Sequence, residues 1–179
     1  ATNAEFVRAA LAATGKRFFV DASKNPMRIK FLGEIGEIDL RVVHLVRDPR
    51  GYAYSRKRDT GRPVSEVARD WRRVNSDVDR RLNELPADRW TRLRYEELCA
   101  SPGPELDRVG ALIGARPMGE PEDFRQVEHH IMGNKMRFGT GAPARVHLDE
   151  RWREALTEHE LRSIQSLCGS SARSYGYDI

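Results

Sequence analysis

The sequence predicts a three-layer α/β domain, a parallel sheet with helices on both faces, and three observations carry that prediction. Short runs rich in β-branched and aromatic residues alternate with longer stretches of helical periodicity. Each of the three short runs ends in polar residues, "DASK", "RDPR" and "YEEL", so one end of the sheet gathers the chemistry. The 179 residues contain no internal repeat or low-complexity tract and suffice for a single cored domain, 1–179.

The elements follow in order. Thr2-Asn3-Ala4-Glu5 has capping-box spacing, and Phe6, Ala9, Ala10 and Ala13 then recur on one helical face until Gly15. "RFFVD", 17–21, is expected to be a short strand that opens into the turn "ASKNP". "PMRIKFLGEI" is a helical piece leading to the apolar run Val42 to Val46, which reads as a strand buried on both faces. Asp48 then caps a helix whose first position is Pro49. After "DTGRP", the spacing of Val64, Val67, Ala68, Trp71, Val74, Val78, Leu82 and Leu85 predicts a long amphipathic helix. "RWTRLRYEEL", 89–98, is the third strand followed by a turn, and "SPGPELDRVGALIG" is a capped helix ending at Gly114. Residues 116–143 are rich in Gly and Pro and mostly irregular, and a last helix runs from about Thr157 to Cys168.

Composition narrows the function classes. No apolar run approaches the roughly eighteen residues of a membrane span, and no signal-peptide pattern opens the chain. The chain begins at Ala1 and reads as a processed or truncated piece. Cys99 and Cys168 are far apart and have no metal or redox spacing, so a reducing cytoplasm is the default compartment. The net charge is +4, and only five of the 31 basic residues are lysine. Arginine suits phosphate and carboxylate, yet a GC-rich genome produces the same bias, so charge alone names no partner.

The stretch "LRVVHLVRDPRGYAYSRKR" asks the functional question. Ser55 lies seven residues after Asp48, about two helical turns, and so shares a side of the helix with the cap. Arg47 stands on the strand tip just before that cap. Both approach the helix start, where free N–H groups and the dipole favour an anion. Alone, the unit fits a local ion pair and a solvated serine equally well. "DASKNP" offers Lys24 as a cation for a phosphate or a leaving group, or as a solvated loop residue. Tyr95 ends a strand, where it either lies against a base or joins the core. "HHIMGNKMR" combines His129, His130, Asn134, Lys135 and Arg137 beside Gly133. Adjacent histidines make no usual chelating pair, so no metal site is expected there, whereas the cations suit a phosphate.

Taken in order, "SKNP", "VVHLVRDPRGYAYSR", "LRYEEL" and "GNKMR" resemble the sulfotransferases that use 3′-phosphoadenosine 5′-phosphosulfate (PAPS). The resemblance runs from about residue 17 to 138, and its most specific part is the Arg-Asp-Pro-Arg-x₄-Ser unit. It implies the P-loop nucleotide-kinase-like sulfotransferase fold. It also implies that Arg47 and Ser55 hold the 3′-phosphate, that Lys24 lies by the transferring sulfuryl group, and that Tyr95 lies near the adenine. Asn134 and Arg137 would lie over the cofactor. The implied partners are this nucleotide, leaving as 3′,5′-adenosine diphosphate, and a hydroxyl or amine acceptor. No metal and no nucleic acid are implied.

Two departures accompany the resemblance. The family's Gly- and Ser/Thr-rich phosphosulfate loop, with the strand before it, does not precede these motifs: Gly15-Lys16 comes before a strand and lacks a preceding glycine. Asn25-Pro26 stands where cytosolic members carry a histidine base. The chain therefore reads as the later two-thirds of a sulfotransferase, expected to be inactive alone. A kinase-like phosphate transferase would need a phosphate loop and Mg²⁺ ligands, neither visible here. A non-catalytic anion- or nucleic-acid-binding module would bind long polyanions with steep salt dependence.

Overall fold

A computed structural model describes residues 3–117, 119 and 147–179. It opens with two helices, α1 (Asn3–Thr14) and α2 (Met27–Gly33), followed by strand β1 (Val42–Val46). Next come α3 (Pro49–Thr60), α4 (Val64–Leu82) and strand β2 (Trp90–Arg94). Helices α5 (Tyr95–Ala100), α6 (Pro102–Leu112), α7 (Trp152–Ala155) and α8 (Glu158–Ser174) complete the described chain.

β1 and β2 pair in parallel, Val42 opposite Trp90 through Val46 opposite Arg94, with α3 and α4 forming the crossover. The apolar period of the long amphipathic stretch has become α4, with Val64, Val67, Ala68, Trp71 and Leu82 buried. Its core partner is α8, whose Ile164, Cys168 and Ala172 are buried in the same cluster as Val46 and Ala53. Ala68 and Cys168 bring the two helices close, and the Cys168 thiol donates to the Ala68 carbonyl at 3.1 Å. Burial raises that thiol's pKa to about 11, so Cys168 is a packing residue.

Several expectations are corrected here. "RFFVD" forms no strand, and Val20 is 83% exposed. Aromatic and β-branched residues favour a strand only where a neighbour completes the ladder, and among the described residues 17–21 has none. Phe19 instead packs edge-on against Phe6 of α1, ring centres 5.8 Å apart. Among the described residues the sheet is covered on one face only: His44 and Val46 point into the core, whereas Val43 and Leu45 are 42% and 50% exposed. A continuous apolar run predicts two covered faces, but the described helices pack on one. α8 continues past Gly169 to Ser174, because the burial of Ala172 outweighs the roughly 1 kcal/mol cost of a mid-helix glycine. Its start is fixed by a reciprocal capping box between Thr157 and Glu160. α6 begins with Pro102 at its first turn and no side-chain cap from Ser101. Thr2 and nearly all of 116–143 lie outside the described residues.

The core face also takes a polar pair that apolar periodicity does not show. His44 and Asn75 are both buried, with His44 Nε2 and Asn75 Oδ1 2.9 Å apart. Asn75 donates its amide to the Trp71 carbonyl, and Arg92 Nε donates to His44 Nδ1 at 3.3 Å. The imidazole thus gives its one proton to Asn75 and accepts from Arg92, which fixes the neutral tautomer. Burial lowers the His44 pKa, Arg92 adding to the effect. A group depressed when folded binds more protons when unfolded, so stability falls as pH drops below the free value of about 6.5. Unfolding free energies from urea titrations are expected to be lower at pH 5.5 than at 7.5, by at most about 1.4 kcal/mol per pH unit for this group. His44→Gln should flatten that slope.

Candidate functional site

The site is built on the turn between β1 and α3. Asp48 leaves the strand with φ −44° and ψ 126° and caps α3 by accepting from the Arg50 N–H at 2.7 Å. Arg50 folds its guanidinium back onto the same carboxylate, Nη2 to Oδ2 at 2.7 Å. The Asp48 carboxylate therefore occupies the start of α3, where sequence reasoning placed an anion. Arg47 leans along the flank of the helix instead.

Three neighbours pin the backbone that presents Arg47. The Trp71 indole N–H donates to the Arg47 carbonyl at 3.0 Å. The Asp48 N–H donates to Glu96 Oε1 at 3.0 Å. Tyr177, from the tail after α8, donates its hydroxyl to Glu96 Oε2 at 2.7 Å and lies 3.2 Å from the Val46 carbonyl. Burial and the adjoining Glu96 carboxylate push the Tyr177 pKa far up, so it stays a neutral donor. Glu96→Ala is expected to cost about 1–3 kcal/mol of stability by orphaning the Asp48 N–H, while the Tyr177 hydroxyl keeps the Val46 carbonyl 3.2 Å away as its acceptor. Urea unfolding of the variant measures this.

The Arg47 side chain lies across the first turn of α3. A Cβ at Gly51 would meet Arg47 Nε at 3.0 Å and Trp152 Cδ1 at 3.3 Å, so the bare glycine makes room for both. The guanidinium stacks over the Tyr95 ring, 4.5 Å from its centre, and Nη2 donates to the Asp149 carbonyl at 3.1 Å. Tyr95 opens α5 where the sequence predicted a strand end, and its hydroxyl donates to the His147 carbonyl at 3.2 Å. Burial raises the Tyr95 pKa, with Cys99 adding to the effect.

The structure thus brings Arg47 and Tyr95 together. Ser55 lies one turn beyond Gly51 on the same side of α3, half-buried, and makes no side-chain hydrogen bond among the described residues. Lys24 is exposed in the turn before α2, and no contact joins it to Arg47 or Tyr95. Its φ of 60° makes it the one non-glycine residue in the left-handed region among the described residues. Asn134 and Arg137, with His129, His130 and Lys135, lie outside the described residues.

Sequence reasoning missed Asp149 and Arg151. Arg151 grips the Asp149 carboxylate with two parallel hydrogen bonds, 2.8 and 2.7 Å, and Arg47 faces it at 3.9 Å. The Arg151 bonds, reinforced by Arg47, hold that carboxyl at about 2, and Asp149 in turn raises the Arg151 pKa. The only trace in the sequence is the charge alternation of "LDERWRE", ordinary for an exposed segment.

A model of the sulfotransferase family matches residues 2–117, which contain Lys24, Arg47, Ser55 and Tyr95. Carbohydrate sulfotransferase 5 of Mus musculus is 27% identical, with 78% of this chain and 42% of that protein aligned. Carbohydrate sulfotransferase 6 of Homo sapiens is also 27% identical over the same shares, and carbohydrate sulfotransferase 4 of Mus musculus is 24% identical. This chain therefore spans about two-fifths of the length of the curated relatives it matches. No solved structure matches it. The family match covers well over half of the chain and includes the turn that presents Arg47, so the chain belongs to the sulfotransferase family.

Proposed function

We propose that this chain carries the nucleotide-binding side of a sulfotransferase that moves a sulfuryl group from PAPS to a carbohydrate hydroxyl. The observation that carries the reading is Arg47, pinned at the backbone by Trp71 and stacked on Tyr95, beside the helix face that bears Ser55. A rigid guanidinium and a hydroxyl a turn away form a donor set for one phosphate, and a ring under that guanidinium suits an adjacent base. The acceptor class comes from the relatives, which are carbohydrate sulfotransferases.

In this reading Arg47 and Ser55 bind the 3′-phosphate, and Tyr95, whose ring lies under the Arg47 guanidinium, packs near the adenine. Lys24 offsets the negative charge that grows on the bridging oxygen as the S–O bond breaks. The family resemblance adds Asn134 and Arg137, which lie outside the described residues, as further nucleotide ligands. PAPS supplies the activated sulfuryl group, and the acceptor oxygen forms the new S–O bond while its proton passes to a base. The 3′,5′-adenosine diphosphate leaves with the electron pair of the broken bond.

Calorimetry with 3′,5′-adenosine diphosphate and adenosine 5′-monophosphate tests the assignment. Arg47→Ala is expected to lose about 1.5–3 kcal/mol for the bisphosphate, roughly 10- to 150-fold in Kd, and little for the monophosphate. Equal losses for both nucleotides exclude Arg47 as the 3′-phosphate ligand.

A further inference from the structure

One carboxylate lies between two guanidiniums on the face of α3 that carries Ser55. Gly51, Tyr54 and Ser55 are three and four residues apart and share that face. Arg47 lies over Gly51, and the Arg151 guanidinium carbon stands 6.0 Å from the centre of the Tyr54 ring. Asp149 lies between the two, 3.9 Å from Arg47 and doubly bonded to Arg151. Three nearby arginines are committed elsewhere, Arg50 to Asp48, Arg58 to Asp59 and Arg153 to Glu150. Arg151 is 63% exposed along its side chain and so is free to swing.

We propose that Arg151 is a further phosphate ligand of this site, and that Asp149 is the resident counter-ion which the phosphate replaces. The proposal rests on the nucleotide reading above. A phosphate dianion reaching Arg47 with Asp149 in place would set like charges within a few ångströms in a half-buried setting. Turning the Asp149 carboxylate out to solvent removes that repulsion and releases the two Arg151 donors, whose fork matches two phosphate oxygens. The contact from Arg47 to the Asp149 main-chain carbonyl survives the exchange, so Arg47 keeps its aim.

Asp149→Asn tests this in the full-length protein, because it removes the charge and keeps both the size and the main-chain carbonyl. By calorimetry it is expected to tighten 3′,5′-adenosine diphosphate binding about tenfold, and Arg151→Gln to weaken it about tenfold. Both variants should leave adenosine 5′-monophosphate within about twofold. The opposite role, a strut that merely aims Arg47, predicts weaker bisphosphate binding for Asp149→Asn. That result overturns the proposal, as does unchanged bisphosphate affinity in Arg151→Gln. If the unmodified protein does not prefer the bisphosphate over the monophosphate, the nucleotide reading falls and takes this proposal with it. If that preference exists and depends on Arg47 while Asp149→Asn binds more weakly, only the present proposal falls. Circular dichroism melts confirm folding, which matters most for Asp149, whose side chain is 17% exposed against 63% for Arg151.

Discussion

Lys24→Gly is expected to lower kcat of the full-length protein by about 10²- to 10³-fold, the usual loss for one electrostatic donor, without lowering its stability. The turn around Lys24 is braced on both sides. Asp21 accepts from the Ser23 N–H at 2.9 Å and from Arg28 Nε at 2.7 Å, while Asn25 Oδ1 accepts from the Met27 N–H at 3.0 Å. Between these anchors Lys24 is held at φ 60°, a conformation that costs a side-chain-bearing residue about 1–3 kcal/mol and costs glycine almost nothing. A residue serving only as a solvated turn would be easier to accommodate as glycine or asparagine. Glycine thus relieves the backbone and deletes the ammonium, which separates stability from chemistry in one variant. If Lys24 acts on the departing bridge oxygen, the loss falls on kcat, and 3′,5′-adenosine diphosphate affinity stays within a few-fold. Lys24→Arg should restore little, because a planar fork does not replace a compact ammonium. Near-normal kcat in the glycine variant removes Lys24 from the chemistry.

What the sequence made legible was local. Asp48 and Pro49 name a helix start by their own chemistry, and the valine and tryptophan period of α4 needs no partner to be recognised. The β1 run and its continuation into Arg47 were readable for the same reason. Features that depend on distant neighbours were not. "RFFVD" has strand composition but no pairing partner among the described residues, and strand propensity alone supplies no ladder. Tyr95 reads as a strand end, yet the chain turns helical at that residue, with Glu96 and Glu97 in the first turn where the dipole favours them. The candidate site divides in the same way. Arg47 and Ser55 are neighbours along one strand–helix unit, whereas Asp149 reaches Arg47 from 102 residues away. The Glu96 bond to the Asp48 N–H spans 48 residues, and no local pattern encodes it.

Trp71→Ala is expected to destabilise the protein by about 3–5 kcal/mol, a large share of a typical domain's 5–15 kcal/mol. Trp71 is buried in the cluster that joins β1, α3, α4 and α8, and its ring meets Tyr175 edge-on at 5.7 Å. Truncation to alanine leaves a cavity between α4 and the tail after α8, and it orphans the Arg47 carbonyl that the indole N–H now satisfies at 3.0 Å. The alanine variant mixes these effects, so Trp71→Phe separates them. Phenylalanine keeps most of the packing and removes the donor, which should cost about 1–3 kcal/mol in urea unfolding. A freed Arg47 carbonyl lets the strand tip rotate, and the guanidinium then loses its place over Gly51 and Tyr95. Affinity of Trp71→Phe for 3′,5′-adenosine diphosphate should therefore fall several-fold even where the variant is fully folded, with adenosine 5′-monophosphate changing less. Unchanged bisphosphate affinity in folded Trp71→Phe would show that Glu96 and Tyr177 aim Arg47 without the indole.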